Sequence, residues 1–359
     1  MSEPPHEGRV LADVPLRNRY LHCRYGVPDV AHPWDVRDPG ATPEAECDYF
    51  GAVFLELERS GAVAGLTFLV TSSVERVPVT GPDVVVLVLH DEWARRPWFT
   101  DQVGAVLKCY GSRPFFPWST VFPPSTLGAA GVANHARIRA AGALHLARGR
   151  AVRGSAVRAD NVHAVPLGWY KQVEVPWVDF EDRPYDASFV GSVVHDLALG
   201  NVLKRNVKRA LGNPKMMSRR ALLRTARDLQ AERPSLRLRL EVTGSFHDVG
   251  EDAAQAYSAL MMSSKISLTP RGTSMETFRF FEAVRVGTVP LAEPLPSHWF
   301  YQGAPFPVIH SWTKLPALLD QLLCSEDHQQ HLHAESLEWW QSRCSPAAVA
   351  ERLAGWVRG

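Results

Sequence analysis

The chain lacks any run of about eighteen apolar residues, so no membrane-spanning helix is expected. Its opening, MSEPPHEGRVLADVP, has no apolar core of a secretory signal. Cysteine is sparse: Cys23, Cys47, Cys109, Cys324 and Cys344 are scattered without a CxxC pair. That pattern argues against a disulfide framework and a zinc site, and the expectation is reduced thiols in a cytoplasmic protein. Charge of one sign is also missing. A net charge of +1 excludes a globally basic nucleic-acid binder. No GxGxxG follows a strand and no GxxxxGK occurs, which removes a dinucleotide dehydrogenase and a P-loop NTPase. There is no solenoid repeat and, beyond a polar opening, no low-complexity tract.

What remains is a soluble composition, 45% hydrophobic and 21% charged, over 359 residues, which is enough for two ordinary domains. Apolar β-branched runs alternate with helical patterns. GLTFLVTSS (65–73) and DVVVLVLHDE (83–92) read as strands buried on both faces, while QVGAVLKCYG (102–111) is ambiguous. The Ala- and Arg-rich segment 133–152 predicts a helix, and NVHAVPLGW (161–169) a strand. Residues 170–184 carry Pro176 and Pro184 without a sustained period and suit a linker.

A second strand and helix series follows. Strands are expected at 185–192, 236–244, 265–270, 288–293 and 306–312, and helices at 201–211, 218–230, 253–264 and 273–287 and near the end. The expected organisation is therefore α/β, with Rossmann-like domains at 1–169 and 185–359 facing a cleft. Twelve Lys or Arg against Asp228 and Glu232 crowd residues 201–240, as a solvated helix face or as a positive wall beside an anion.

The densest chemistry lies in LTPRGTSMETFRFFEAVRVGTVP (268–290). In an open α/β sheet, ligands gather at the carboxyl ends of strands, where Pro270-Arg271-Gly272 falls. Thr273 and Glu276 have capping-box spacing, so a helix is expected to start there with its N–H groups toward an anion. Gly272, Thr273 and Ser274 would form the anion-binding turn. Along that helix Thr277, Phe280, Phe281 and Val284 make a core stripe, and Met275, Arg279, Glu282 and Val286 a second one. Forked guanidinium groups at Arg271 and Arg279 suit phosphates, and Glu282 can accept from ribose hydroxyls. A surface Arg–Glu pair is the competing reading of the same spacing.

This stretch resembles the signature of the exostosin-like glycosyltransferases (family 47): Pro-Arg-Gly, a short loop, Phe-Arg-Phe-Phe-Glu-Ala, then Gly before Val-Pro. The likeness continues into PFPVIHSW. FVGSVVHD, followed by a helix with Arg205, is similar to the family's first nucleotide-domain strand, and HDEW, KCYG and VPLGW are weaker echoes. The resemblance implies a GT-B fold. It further implies inverting transfer from a nucleotide-sugar, usually UDP-linked, with the donor in the C-terminal domain and the acceptor in the N-terminal one. Donor contacts would come from Gly191, Ser192, Arg205, Arg271, Arg279 and Glu282.

Inversion needs a base that takes the acceptor proton, and the leaving charge would be met by arginines and a helix N-terminus. Asp91 and Glu92 close an apolar strand and are the expected base, with helix capping the competing role. His195, beside Asp196, is the alternative. Acidic clusters such as FEDRPYD fall in the linker, and HQQHLH (328–333) lacks a carboxylate at ligand spacing, so neither a metal nor another cofactor is expected. A carbohydrate or a soluble small molecule is the expected acceptor. A fucosyltransferase-like enzyme using a GDP-sugar, and a non-catalytic nucleotide-sugar-binding scaffold, are the alternatives.

Overall fold

The computed structural model describes residues 14–38, 47–121, 125–154, 157, 160–170, 172–193, 213–243 and 251–358. Its first half is built on strands β1 (Arg19–Cys23), β2 (Ala31–Pro33), β3 (Thr67–Thr71), β4 (Gly81–Val88), β5 (Val103–Lys108) and β6 (Val162–Ala164). They form one sheet in the order β2-β1-β3-β4-β5-β6. All neighbours run parallel except β1 and β2. All five residues of β3 are buried, as are the last five of β4, because helices cover one face and loop residues such as Val74 and Phe99 cover the other. The ambiguous 102–111 segment is thus a central strand.

Two elements carry weaker sequence signals. Helix α1 (Asp48–Ser60) buries Tyr49, Phe50, Val53, Phe54 and Leu57 against the sheet. Its Glu58 is 1% exposed. This carboxylate accepts from the Arg17 N–H, the Asn18 N–H and side-chain amide, and the Tyr20 hydroxyl, so the buried charge is fully hydrogen-bonded. Helix α2 (Thr126–Arg153) starts at Ser125, whose hydroxyl accepts from the Gly128 N–H at 3.0 Å.

The second sheet orders β7 (Tyr185–Ser192), β8 (Leu238–Thr243), β9 (Ser264–Thr269) and β10 (Val289–Ala292) as β10-β9-β7-β8, all parallel. Helices α3 (Pro214–Glu232), α4 (Glu251–Met262) and α5 (Phe278–Arg285) accompany it. Then come α6 (Leu315–Leu322), α7 (Glu326–Trp339) and α8 (Pro346–Arg358). Helix α8 returns to the first half and packs on α1. The architecture is α/β, with two Rossmann-like units facing a cleft.

One local expectation is corrected, and two buried side chains, Arg183 and His333, add anchors that the sequence does not show. Residues 306–312 form no strand: Pro305 and Pro307 remove donors, and only the Ala292–Val308 bridge survives. Residues 170–184 are anchored at their end, because the 1%-exposed Arg183 donates to the carbonyls of Ser264 and Val286 and to the Thr288 hydroxyl. Burial pushes that guanidinium down to about 10. His333 does not face water; it is buried against Phe180, with Nδ1 2.7 Å from the Gly287 carbonyl. The helix expected at 201–211 lies outside the described residues.

Candidate active site

The carboxyl ends of β4 and β5 meet the 271–276 loop across a cleft. The loops after both strands hold non-glycine residues in the left-handed region, His90 (φ 62°), Ala94 (φ 51°) and Tyr110 (φ 61°). Such backbone is stored where surrounding structure fixes a functional geometry.

Asp91 and Glu92 part company here. Asp91 is 4% exposed. Its Oδ2 lies 2.9 Å from Nζ of the fully buried Lys108, and Oδ1 accepts from Arg95 Nε at 2.9 Å. The Arg95 N–H adds a third bond. Burial acts to raise this carboxyl, but Lys108 and Arg95 outweigh it and hold the group below the usual carboxylate range. Asp91 is thus a paired buried anion that turns the loop, and it is not among the residues lining the cleft. Glu92 is only half-buried and lines the cleft with Arg271 and Thr273. Burial raises its pKa, against the opposing influence of Thr273, Lys215, His90 and Arg219.

On the opposite wall, Arg271 and Arg219 are 8% and 6% exposed. Arg279, half-buried, places its guanidinium 5.4 Å over the Phe189 ring. Among the described residues, the Nε donors of Arg219, Arg271 and Arg279 all lack a hydrogen-bond partner. Arg219 donates to the Ser192 carbonyl at 2.6 Å, at the end of β7. Gly191 lies beside it, and a Cβ there would stand 2.8 Å from Arg279 Nη2 and displace that guanidinium. Burial lowers Arg219 to about 9, with the Arg279 charge adding to the effect. Lys215, one helical turn before Arg219, is also lowered, by burial and by both arginine charges. Unpaired buried cations that repel one another are costly unless an anion completes them. Lys215 and Arg219 were not singled out from sequence; the basic density of 201–240 was their signal.

The 270–285 loop and helix differ from the capping-box expectation. Helix α5 starts at Phe278 with Thr277 as a cap that makes no side-chain bond. Ser274 Oγ instead accepts from the Glu276 N–H at 3.3 Å, closing a local turn. Gly272 meets no atom closer than 3.6 Å on its Cβ side, and the 3.7 Å neighbour there is Glu92 Oε1. Arg271 is held by its own N–H to Glu293 Oε1 at 3.4 Å, and Glu293 is fixed by Ser218 and by Trp312 Nε1. Phe280, Phe281 and Val284 are core, as their stripe implied.

Glu282 is 3% exposed. It accepts from the Tyr170 N–H at 2.9 Å and the Tyr257 hydroxyl at 2.5 Å, so part of its capacity is spent joining the two units. Burial raises its pKa despite those bonds and the nearby Arg279 charge. Of the expected site residues, Glu92, Arg271, Thr273 and Ser274 line the cleft and Gly272 adjoins Glu92, while Gly191, Ser192 and Arg279 gather around Arg219. His195 and Arg205 lie outside the described residues.

No family model matches the chain. It is 24% identical to ribitol-5-phosphate xylosyltransferase 1 of Danio rerio over 179 residues, covering 45% of this chain and 36% of that protein. The match therefore spans little more than a third of that relative's length. Among solved structures, the GtfA/B complex matches with a TM-score of 0.38 and 13% identity, over 78% of this chain and 58% of that one. An alpha-glucosyltransferase in complex with UDP-glucose and abasic-site DNA gives 0.37 and 10%, over 88% and 84%. The spinosyn forosaminyltransferase SpnP gives 0.35 and 13%, over 88% and 84%. Among the described residues, no helix is long and apolar enough to cross a membrane.

Proposed function

We propose that the chain is an inverting glycosyltransferase of the exostosin-like kind, moving a sugar from a nucleotide-sugar, preferentially UDP-linked, to an acceptor hydroxyl. One observation carries the reading: three guanidinium groups whose Nε donors have no partner among the described residues, Arg219, Arg271 and Arg279, converge at the carboxyl ends of parallel strands. That is where a diphosphate binds in an open α/β sheet, and forked donors match its oxygens. The curated relative's name, a xylosyltransferase, agrees with this chemistry.

In the proposed reaction the arginines and Lys215 neutralise the donor diphosphate, with no resident metal assigned to that task. Glu282 keeps acceptor capacity beyond its two protein bonds and is assigned the ribose hydroxyls. Glu92 is assigned as base. It takes the acceptor hydroxyl proton as that oxygen bonds to the anomeric carbon. The bond to the β-phosphate oxygen breaks, and its electron pair leaves with the nucleoside diphosphate.

The test is calorimetry with UDP and GDP. Arg279→Ala is expected to weaken the preferred nucleotide by about tenfold to a hundredfold, the worth of a lost charged hydrogen bond. Arg271→Lys should also weaken it, since an ammonium cannot reproduce a forked contact. Wild-type affinity in both variants would refute the donor site.

A further inference from the structure

The cleft holds a second polar pair, Glu276 and His298, which lines the same cavity as Arg271 and Arg113. Glu276 is 3% exposed; the buried Tyr301 hydroxyl faces its carboxylate, but among the described residues Oε1 has no partner in hydrogen-bond geometry. Its Oε2 lies 3.6 Å from His298 Nε2, too far for a hydrogen bond, and that nitrogen is likewise unpartnered. Both residues line the cavity. The His298 ring is held against the Gly111 backbone and packs 5.4 Å from Phe300. Its placement is therefore fixed while its nitrogen stays unused. A buried carboxylate oxygen without a donor is costly, and a ligand that donates to it removes the cost.

The wall facing this pair is aromatic. Trp93, Phe115 and Phe116 line the cavity. Phe115 is 37% exposed and Trp118, packed edge-on to Phe116 at 4.9 Å, is 64% exposed. Rings presented to a cleft in this way stack on the apolar faces of sugars. The chemistry is thus two hydroxyls for the carboxylate and imidazole, and a ring face or polyol chain for the aromatics. Glu276 disfavours an anion beside it, while Arg113 and Arg271 on the same cavity favour one, so the anionic probes below decide between the two influences.

We infer that Glu276 and His298 bind adjacent hydroxyls of a neutral carbohydrate or polyol unit of the acceptor, stacked on the Phe115–Phe116 wall, and so determine acceptor specificity. The inference rests on the transferase reading only in calling that unit the acceptor. Glu276 and His298 contact the acceptor directly, are distinct from the base Glu92, and carry none of the donor contacts assigned above.

The test is saturation-transfer NMR and calorimetry on the full chain with saturating UDP. The probes are glucose, galactose, xylose and ribitol, beside glucuronate and glucose 6-phosphate. At least one neutral probe is expected to bind more tightly than both anionic ones. Glu276→Gln and His298→Gln are each expected to weaken it by about tenfold or more, while UDP affinity stays within about twofold. Melting temperatures check that both variants fold. If either does not, Phe115→Ala at the exposed rim takes its place, with the same expected loss. Absence of neutral-probe binding, preference for the anions, or binding indifferent to all three substitutions would overturn the inference. UDP and GDP affinities of the unsubstituted chain report separately on the transferase reading. If both are absent that reading falls, while carbohydrate binding dependent on Glu276 and His298 still stands.

Discussion

Asp91 and Glu92 are chain neighbours whose surroundings drive them in opposite directions. For Asp91, the folded pKa lies below its ordinary value, so the unfolded chain binds more protons in acid. Its contribution to stability is therefore full above the ordinary carboxylate range, and is lost as the pH falls through the lowered folded value. Asp91→Asn leaves Lys108 buried without its counter-charge, and a loss of about 3–5 kcal/mol is expected in denaturant titration. Glu92 has the reverse sign, raised by burial. As a base it must be ionised, so the acid limb of kcat/KM should lie above the ordinary glutamate range. Glu92→Gln should abolish transfer while the melting temperature holds, because half-buried Glu92 closes no buried ion pair. A retained acid limb in residual activity would show that another group is the base. From the sequence the two residues were equivalent, since the difference comes from Lys108 on a neighbouring strand.

At the scale of the element, α5 shows where local pattern and packing disagree. Thr273 and Glu276 have the spacing of a capping box, yet Ser274 closes the local turn first and the helix begins at Phe278. The core stripe of Phe280, Phe281 and Val284 was legible because burial of large rings follows helical period. The arginine cluster was legible in part. Arg271 and Arg279 sit in a recognisable motif, but which of twelve cations in 201–240 reaches the cleft depends on how α3 is rotated. The end of α5 is set by Gly287, at φ +68°, where a Cβ would stand 2.3 Å from the His333 ring. Gly287→Ala should cost about 3 kcal/mol from left-handed strain plus overpacking, read as a fall in melting temperature. His333 adds a pH signature. Burial lowers it to about 4 from an ordinary value near 6.5. The unfolded chain then binds the extra proton first, so stability should decline as pH drops from about 6.5 toward 4. Replacing His333 with Gln should flatten that decline.

Across the whole molecule, the two units are tied by more than the 170–184 segment. Helix α8 follows α7 of the second unit in the chain but buries its face in the first. Val349 and Leu353 are fully buried, and Ala350 and Ala354 nearly so. The Tyr49 hydroxyl donates to the Cys344 carbonyl at 2.6 Å, just before α8. His163 stacks on Trp356 with centroids 4.6 Å apart, and Arg358 donates to the Ala62 carbonyl at 2.8 Å. The same residues Tyr49, Phe50 and Phe54 that pack α1 on the sheet share one core with α8. The first sheet therefore completes its core only after the second has been synthesised. Deleting residues 346–359 strips two large and two small apolar side chains from that core. At roughly 1.5–3 kcal/mol per large side chain, plus newly exposed partners, the loss is about 5 kcal/mol. A domain's whole stability is on the order of 5–15 kcal/mol. The truncated chain should show a separate, lower melting transition for the first unit and bind a hydrophobic dye at ambient temperature. The arginine cluster, built wholly from the second unit, should still bind nucleotide. A single unshifted transition would show that α8 only decorates the first unit, and loss of nucleotide binding would show that the donor site depends on it.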